Sequence, residues 1–160
     1  MPGGYGRRDR QPRPGTLLIY LDTSVVVSLL CADANSVAAA TLMQRADEPV
    51  LLTSFAKLET VNALNLRLFR KEISAVQAAA SIRKLEERVQ SGVFRFVPLP
   101  DSAYQRGEEL AHRLTPRLGV HSADLLHVAA ALELGVSSLY SFDHKQRLAA
   151  EQCGLLVNSW

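Results

Sequence analysis

Four acidic residues stand at four separate places in this chain, each where an apolar stretch ends or is interrupted. Asp22 follows Ile19-Tyr20-Leu21, and Glu59 lies within Lys57-Leu58-Glu59-Thr60-Val61-Asn62. Asp124 lies within Ser122-Ala123-Asp124-Leu125-Leu126-His127, and Asp143 follows Tyr140-Ser141-Phe142. A carboxylate beside a core is costly unless it is paired or bound to a cation. Brought together, these four would form a pocket of hard oxygen ligands suited to Mg²⁺ or Mn²⁺. Such a pocket repels a phosphodiester until divalent ions reverse its field; the same ions lower the pKa of water and stabilise a leaving oxygen.

Each acid has a structural alternative. Asp22, followed by Thr23 and Ser24, is a good N-cap. Asp143 with Gln146 three residues on fits a capping pattern. Asp124 falls in the first turn of a helix, where the macrodipole favours a carboxylate. Glu59 has no such alternative. At ~100° per residue it shares a face with Phe55, Leu58, Asn62, Ala63, Leu66 and Phe69, so it is expected to face the protein and to need a partner. Asn62, one turn on, is placed to hydrogen-bond around it. Thr23, Ser24 and Ser141 are placed to support the aspartates, or to act as local backbone caps. His127, three residues after Asp124, reads as a hydrogen-bonded packing histidine ahead of a ligand or phosphate contact. Val61, Leu64 and Leu68 form a second apolar stripe opposite Glu59, read as a self-association surface.

The elements that must deliver these residues alternate. Strands are expected at 17–21, 49–53, 93–97, 136–141 and 155–157. Helices are expected at 23–31, 36–46, 55–70, 74–90, 101–114, 122–134 and 145–153. Gly92, Gly135 and Gly154 act as stops, and the fifth helix is expected to end before Pro116. Strands separated by helices imply parallel crossovers and an α/β fold, a three-layer α/β/α sandwich with a mostly parallel central sheet. Ligand sites in such sheets lie beyond the carboxyl ends of the strands, and Asp22 and Asp143 both fall there.

The 160 residues suit one domain, 16–160, with 48% hydrophobic and 21% charged residues. Residues 1–15 are rich in Gly, Pro and Arg and read as a disordered basic extension. They hold Arg7, Arg8, Arg10 and Arg13 against Asp9, so the net charge of +2 belongs to this tail and the remainder is slightly acidic. Bulk charge by itself therefore does not point to a nucleic-acid partner. Cys31 and Cys153 read as free thiols. No apolar run reaches the ~18 residues that span a bilayer, and no secretory leader is evident. A cytoplasmic protein without membrane contact is expected.

Leu21-Asp22-Thr23-Ser24, the mid-helical Glu59 with Asn62, the run Ser122-Ala123-Asp124-Leu125-Leu126-His127-Val128-Ala129-Ala130-Ala131, and Ser141-Phe142-Asp143 occur in the order and spacing of PIN-domain proteins. The chain from Leu17 onward resembles the VapC-type toxins of that family. The resemblance implies a metal-dependent ribonuclease in which Asp22, Glu59, Asp124 and Asp143 hold one or two Mg²⁺ or Mn²⁺ ions. It also implies a homodimer, inhibited by a cognate VapB-type antitoxin. Many members carry a further acid two residues after the position of Asp143; here Lys145 stands there, so no role for a fifth acid carries over.

The chemistry expected is endonucleolytic cleavage of RNA (tRNA, rRNA or mRNA) leaving 5′-phosphate and 3′-hydroxyl ends, with no side-chain nucleophile. Three rivals are an RNA-processing PIN nuclease without a toxin role, a non-catalytic PIN-fold binding module, and a haloacid-dehalogenase-like phosphatase. The last calls for a second Asp where this chain has Ser24.

Overall fold

The computed structural model describes residues 18–159. The extension read at 1–15 lies outside them. The strands are β1 (Ile19–Leu21), β2 (Val50–Thr53), β3 (Phe94–Val97), β4 (Ser138–Tyr140) and β5 (Leu156–Val157). The helices are α1 (Thr23–Leu30), α2 (Ser36–Arg45), α3 (Ser54–Phe69), α4 (Ala75–Gln90), α5 (Ser102–Leu118), α6 (Ser122–Glu133) and α7 (His144–Gln152). All five strands pair in parallel, in the order β3-β2-β1-β4-β5.

Strand alternation sorts the core into two layers. Leu18, Tyr20, Leu51 and Leu139 point to one face, where α5, α6 and α7 bring Leu110, Leu114, Leu125, Val128 and Ala149. Ile19, Leu21, Val50, Leu52 and Phe94 point to the other, against Val25 and Val26 of α1, Ala39 of α2, Ala56 of α3 and Leu85 of α4. Both faces are covered, as the unbroken apolar strand sequences require. Val25-Val26-Val27 is helical despite β-branching because all three side chains are buried, and that burial outweighs a propensity difference of a few tenths of a kcal/mol.

Two expectations need correction. Helix α5 runs through Pro116 to Leu118 and ends at Gly119, whose φ of +60° closes the turn with an N–H to Thr115 O. A proline in the last turn removes one backbone donor, and packing Leu118 on the core outweighs that loss. The two stripes of α3 are also reversed. Leu64 is fully buried and Val61 packs on the core, whereas Leu58, Leu66 and Phe69 on the side of Glu59 are exposed. Helices α1 and α4 bring Val27, Cys31 and Ile82 around Leu64, so no free Val61–Leu64 surface remains.

Successive connections leave the sheet in opposite directions at β1, with β2 on one side and β4 on the other. This switch point opens a crevice beyond the carboxyl ends of β1 and β4. Asp22 N–H donates to Tyr140 O at 3.1 Å there, which fixes the two strand exits against each other.

Candidate metal centre

Asp22 begins where β1 ends. Its Oδ1 accepts from Val25 N–H at 3.2 Å, capping α1, and from Ser24 Oγ at 2.6 Å. Its Oδ2 accepts from Ser141 Oγ at 3.0 Å. The side chain is 5% exposed, and burial pushes its carboxyl above the usual range although His127 and these hydrogen bonds oppose the rise. Asp143 follows β4 and caps α7, its Oδ1 accepting from Gln146 N–H at 2.7 Å. Its own N–H donates to Ser141 Oγ at 2.9 Å, so one hydroxyl bridges the two aspartates. Ser24 Oγ accepts from Phe142 N–H at 2.9 Å, and Asn158 Oδ1 accepts from Ser141 N–H at 2.7 Å.

Asp124 sits in the first turn of α6 and is half-buried. Burial raises its carboxyl, and the nearby charges of Asp143 and Asp22 raise it further, against His127 and His121. Glu59 comes from the middle of α3. Its Oε2 lies 2.5 Å from His127 Nε2 and accepts from Thr23 Oγ1 at 2.7 Å. Burial raises this carboxyl too, but the bonds from His127 and Thr23 win and hold it low. His127 is 2% exposed, its Nδ1 is 2.8 Å from Tyr20 Oη, and its ring packs on Phe55. The Tyr20 phenol is pushed well up, by burial first.

Asp22, Glu59, Asp124 and Asp143 line one cavity of about 540 Å³, together with Thr23, Ser24 and His127. Ser141 reaches it through Asp22. Asn62 is exposed and is not part of the lining; the tilt of α3 that buries Leu64 turns it to solvent. His127 was read chiefly as a packing histidine. It packs, and it also supplies the partner that Glu59 lacked in the sequence. Its position three residues after Asp124 was the available signal. The cavity extends past the acids to Asp33, Arg67, Arg70 and Glu72. Arg67 there pairs with Asp33 at 2.8 Å.

The donor set suits a hard divalent cation: carboxylates, of which Asp22 is held above the ordinary range by burial and Asp124 by burial and like charge. A cation among them would relieve the repulsion that Asp124 feels from Asp143 and Asp22. Among the described residues no three acids, histidines or cysteines converge tightly enough to hold one ion as they stand. Existing hydrogen bonds engage one oxygen of Asp143, one of Glu59 and both of Asp22.

A parallel sheet reversing at β1, with acids from both strand exits and two helices around one crevice, defines a fold that known proteins share. The chain matches the PIN domain over residues 19–152, and it belongs to that family. No curated protein sequence matches it. Solved structures do match its fold. VapC20 of Mycobacterium tuberculosis, described as a sarcin-ricin loop cleaving toxin, is 22% identical over 82% of this chain and 94% of its own, with a TM-score of 0.66. VapBC2 of Rickettsia felis, bound to a DNA fragment from its promoter, is 15% identical over 90% of this chain and 99% of its own, with a TM-score of 0.63. FitAcB of Neisseria gonorrhoeae is 20% identical over 88% of this chain and 96% of its own, with a TM-score of 0.61. No helix among the described residues is long and apolar enough to cross a membrane.

Proposed function

We propose that this chain is a metal-dependent endoribonuclease of the VapC type, the toxin of a type II toxin–antitoxin pair. The observation that carries this is the meeting of Asp22, Glu59, Asp124 and Asp143 in one crevice at the switch point of a PIN fold. Asp22, Asp124, Glu59 and Asp143 would hold Mg²⁺ or Mn²⁺, which supplies the field that admits a phosphodiester and the acidity that activates water. The chain's own residues do the positioning. Ser24 and Ser141 lock the Asp22 carboxylate at the end of β1. Thr23 and His127 hold Glu59 ionised. The products expected carry 5′-phosphate and 3′-hydroxyl ends.

The remaining expectations belong to the same proposal. The substrate is RNA, with exposed bases of a structured loop as the natural target of such a crevice. A VapB-type antitoxin is the expected partner, as in the VapBC and FitAB complexes whose folds match. Homodimerisation and a cytoplasmic location complete it. The decisive experiment expresses wild type and Asp124→Ala and sequences the ends of cleaved RNA. Cleavage by wild type alone with 5′-phosphate ends supports the proposal; 2′,3′-cyclic phosphate ends overturn the mechanism.

A second reading, a non-catalytic PIN-fold binding module, has one observation in its favour: among the described residues no three acids, histidines or cysteines stand close enough to hold one ion. Mn²⁺ titration separates the two, because a binding module needs no difference between wild type and Asp22→Asn.

A further inference from the structure

The cavity runs on from the acids along one side of α3. Glu59, Ala63, Leu66, Arg67 and Arg70 all line it, at steps of four, three, one and three residues, which is one face of a helix. At a rise of about 1.5 Å per residue, Arg70 stands about 16 Å along the axis from Glu59. The groove therefore has an acidic end at the strand exits and an arginine-bearing end where α3 closes.

The two arginines differ. Arg67 gives its guanidinium to Asp33 at 2.8 Å, and Asp33 also accepts from Ser28 and Asn35, so that charge is engaged within the fold. Arg70 is exposed, and among the described residues its guanidinium has no ion pair or hydrogen bond. Phe69, just before Arg70 and one turn after Leu66, is 83% exposed. An unengaged guanidinium and an open aromatic face, side by side at the wall of a groove, are what hold single-stranded nucleic acid: the cation takes a phosphate and the ring a base.

We infer that Arg70 and Phe69 form a subsite for single-stranded RNA, in which Arg70 binds a phosphate a few nucleotides from the one cut at the acids and Phe69 stacks a neighbouring base. The inference rests on the proposed ribonuclease reading, which puts a phosphodiester at the acidic end. A strand repeats its charge along its length, so one molecule meets both ends of the groove. The subsite holds substrate and takes no part in the reaction. Glu72 lines the same end without pairing with Arg70, and its carboxylate repels a phosphate seated there.

The test follows a fluorescein-labelled oligouridine of about eight nucleotides binding to the full chain, by fluorescence anisotropy across a salt series. Ca²⁺ replaces Mn²⁺ to keep the strand uncut. Arg70→Gln should weaken binding about fivefold and lower the slope of log Kd against log salt by about 0.7, the value of one phosphate on a single strand. Arg70→Lys, which keeps the charge, should keep that slope. Phe69→Ala should weaken binding about fivefold or more with the slope unchanged, because stacking releases no counterion. Glu72→Gln should tighten binding. Arg83→Gln, exposed on α4 and outside the cavity, should change neither affinity nor slope. A wild type that does not bind the strand overturns the inference. So does Arg70→Gln at wild-type affinity and slope, which leaves the guanidinium to a protein partner, and so does an equal loss in Arg83→Gln. Phe69→Ala at wild-type affinity overturns the stacking role. A wild type that binds the strand through Arg70 yet leaves it intact in Mn²⁺ refutes the nuclease reading instead.

Discussion

Asp22 and Glu59 carry the same charge into the same cavity, yet neutralising them should move stability in opposite directions. Asp22 is almost wholly buried, and burial holds its carboxyl above the ordinary range despite three hydrogen bonds. Its ionised form therefore weakens the metal-free fold. Asn in its place keeps an oxygen for Ser24 and Val25 and removes the charge. The gain is about 1–2 kcal/mol for the desolvated charge, against about 1 kcal/mol for the weakened bond to Ser141. The metal-free variant should thus equal or exceed wild type by up to ~1 kcal/mol, which is roughly 2–4 °C in melting temperature for a chain of this size. The pH dependence has a definite sign. The folded chain binds this proton more tightly than the unfolded one, so the group's contribution is full below the ordinary carboxylate range and is lost as pH rises through the raised value. The advantage of Asp22→Asn should therefore grow from acid to neutral pH. Glu59 is held low by donors, so Glu59→Gln forfeits charge assistance from His127 and Thr23 and should cost about 1 kcal/mol. With Mn²⁺ at one hundred times its Kd, wild type should gain about 2.7 kcal/mol and Asp22→Asn far less. Differential scanning fluorimetry with chelator and with Mn²⁺ reads all of this. An Asp22→Asn protein more than about 1 kcal/mol less stable than wild type without metal would show that the burial cost has been misjudged.

Further tests probe the frame around the site. Asp33 accepts from Arg67, Ser28 and Asn35, and although burial opposes it these partners hold its carboxyl low. Asp33→Asn should cost about 1 kcal/mol at neutral pH. Because this group's contribution is present above the ordinary carboxylate range and lost as pH falls through the lowered value, the variant should also flatten the acid limb of a stability–pH curve. Lys71 has φ +61°, a left-handed conformation costly for a side-chain-bearing residue, between α3 and α4. Lys71→Gly should raise stability by about 0.5–1 kcal/mol in urea denaturation. Leu64 is fully buried between α1, α3 and α4, so Leu64→Ala should cost about 2–5 kcal/mol and leave self-association in sedimentation unchanged.

All twelve elements were legible from apolar runs, turn residues and glycine stops, with ends shifting by a residue or two except at the end of α5, which runs four residues further. Pro116 misled because local rules weigh the donor lost and not the packing of Leu118 that one more turn adds. The stripes of α3 misled for a related reason. The helix carries apolar residues on both sides, and periodicity alone does not reveal which side its neighbours cover. Asp22 and Asp143 could be placed at one sheet edge from strand ends alone. Glu59 and Asp124 could not, because their approach depends on how α3 and α6 lean over that edge. Tyr20 alternates correctly as a core residue, and only the fold sets its hydroxyl against His127.

Whether Asp143 caps a helix or serves the site is a false choice, since a carboxylate has two oxygens and about four acceptor positions. Its Oδ1 is taken by Gln146 N–H, and Oδ2 remains for the cavity. Capping also anchors the side chain where β4 ends, in the cavity that Asp124 lines. The two duties can be separated. Asn is as good an N-cap as Asp, so Asp143→Asn should keep the stability of metal-free wild type within a few tenths of a kcal/mol. Asp143→Ala should lose about 1 kcal/mol with the cap. Both should lose Mn²⁺ affinity to a similar degree, because both lack the charge. If Asp143→Asn instead bound Mn²⁺ as tightly as wild type, Asp143 would be a cap alone, and the cation would have to be held by Asp22, Glu59 and Asp124.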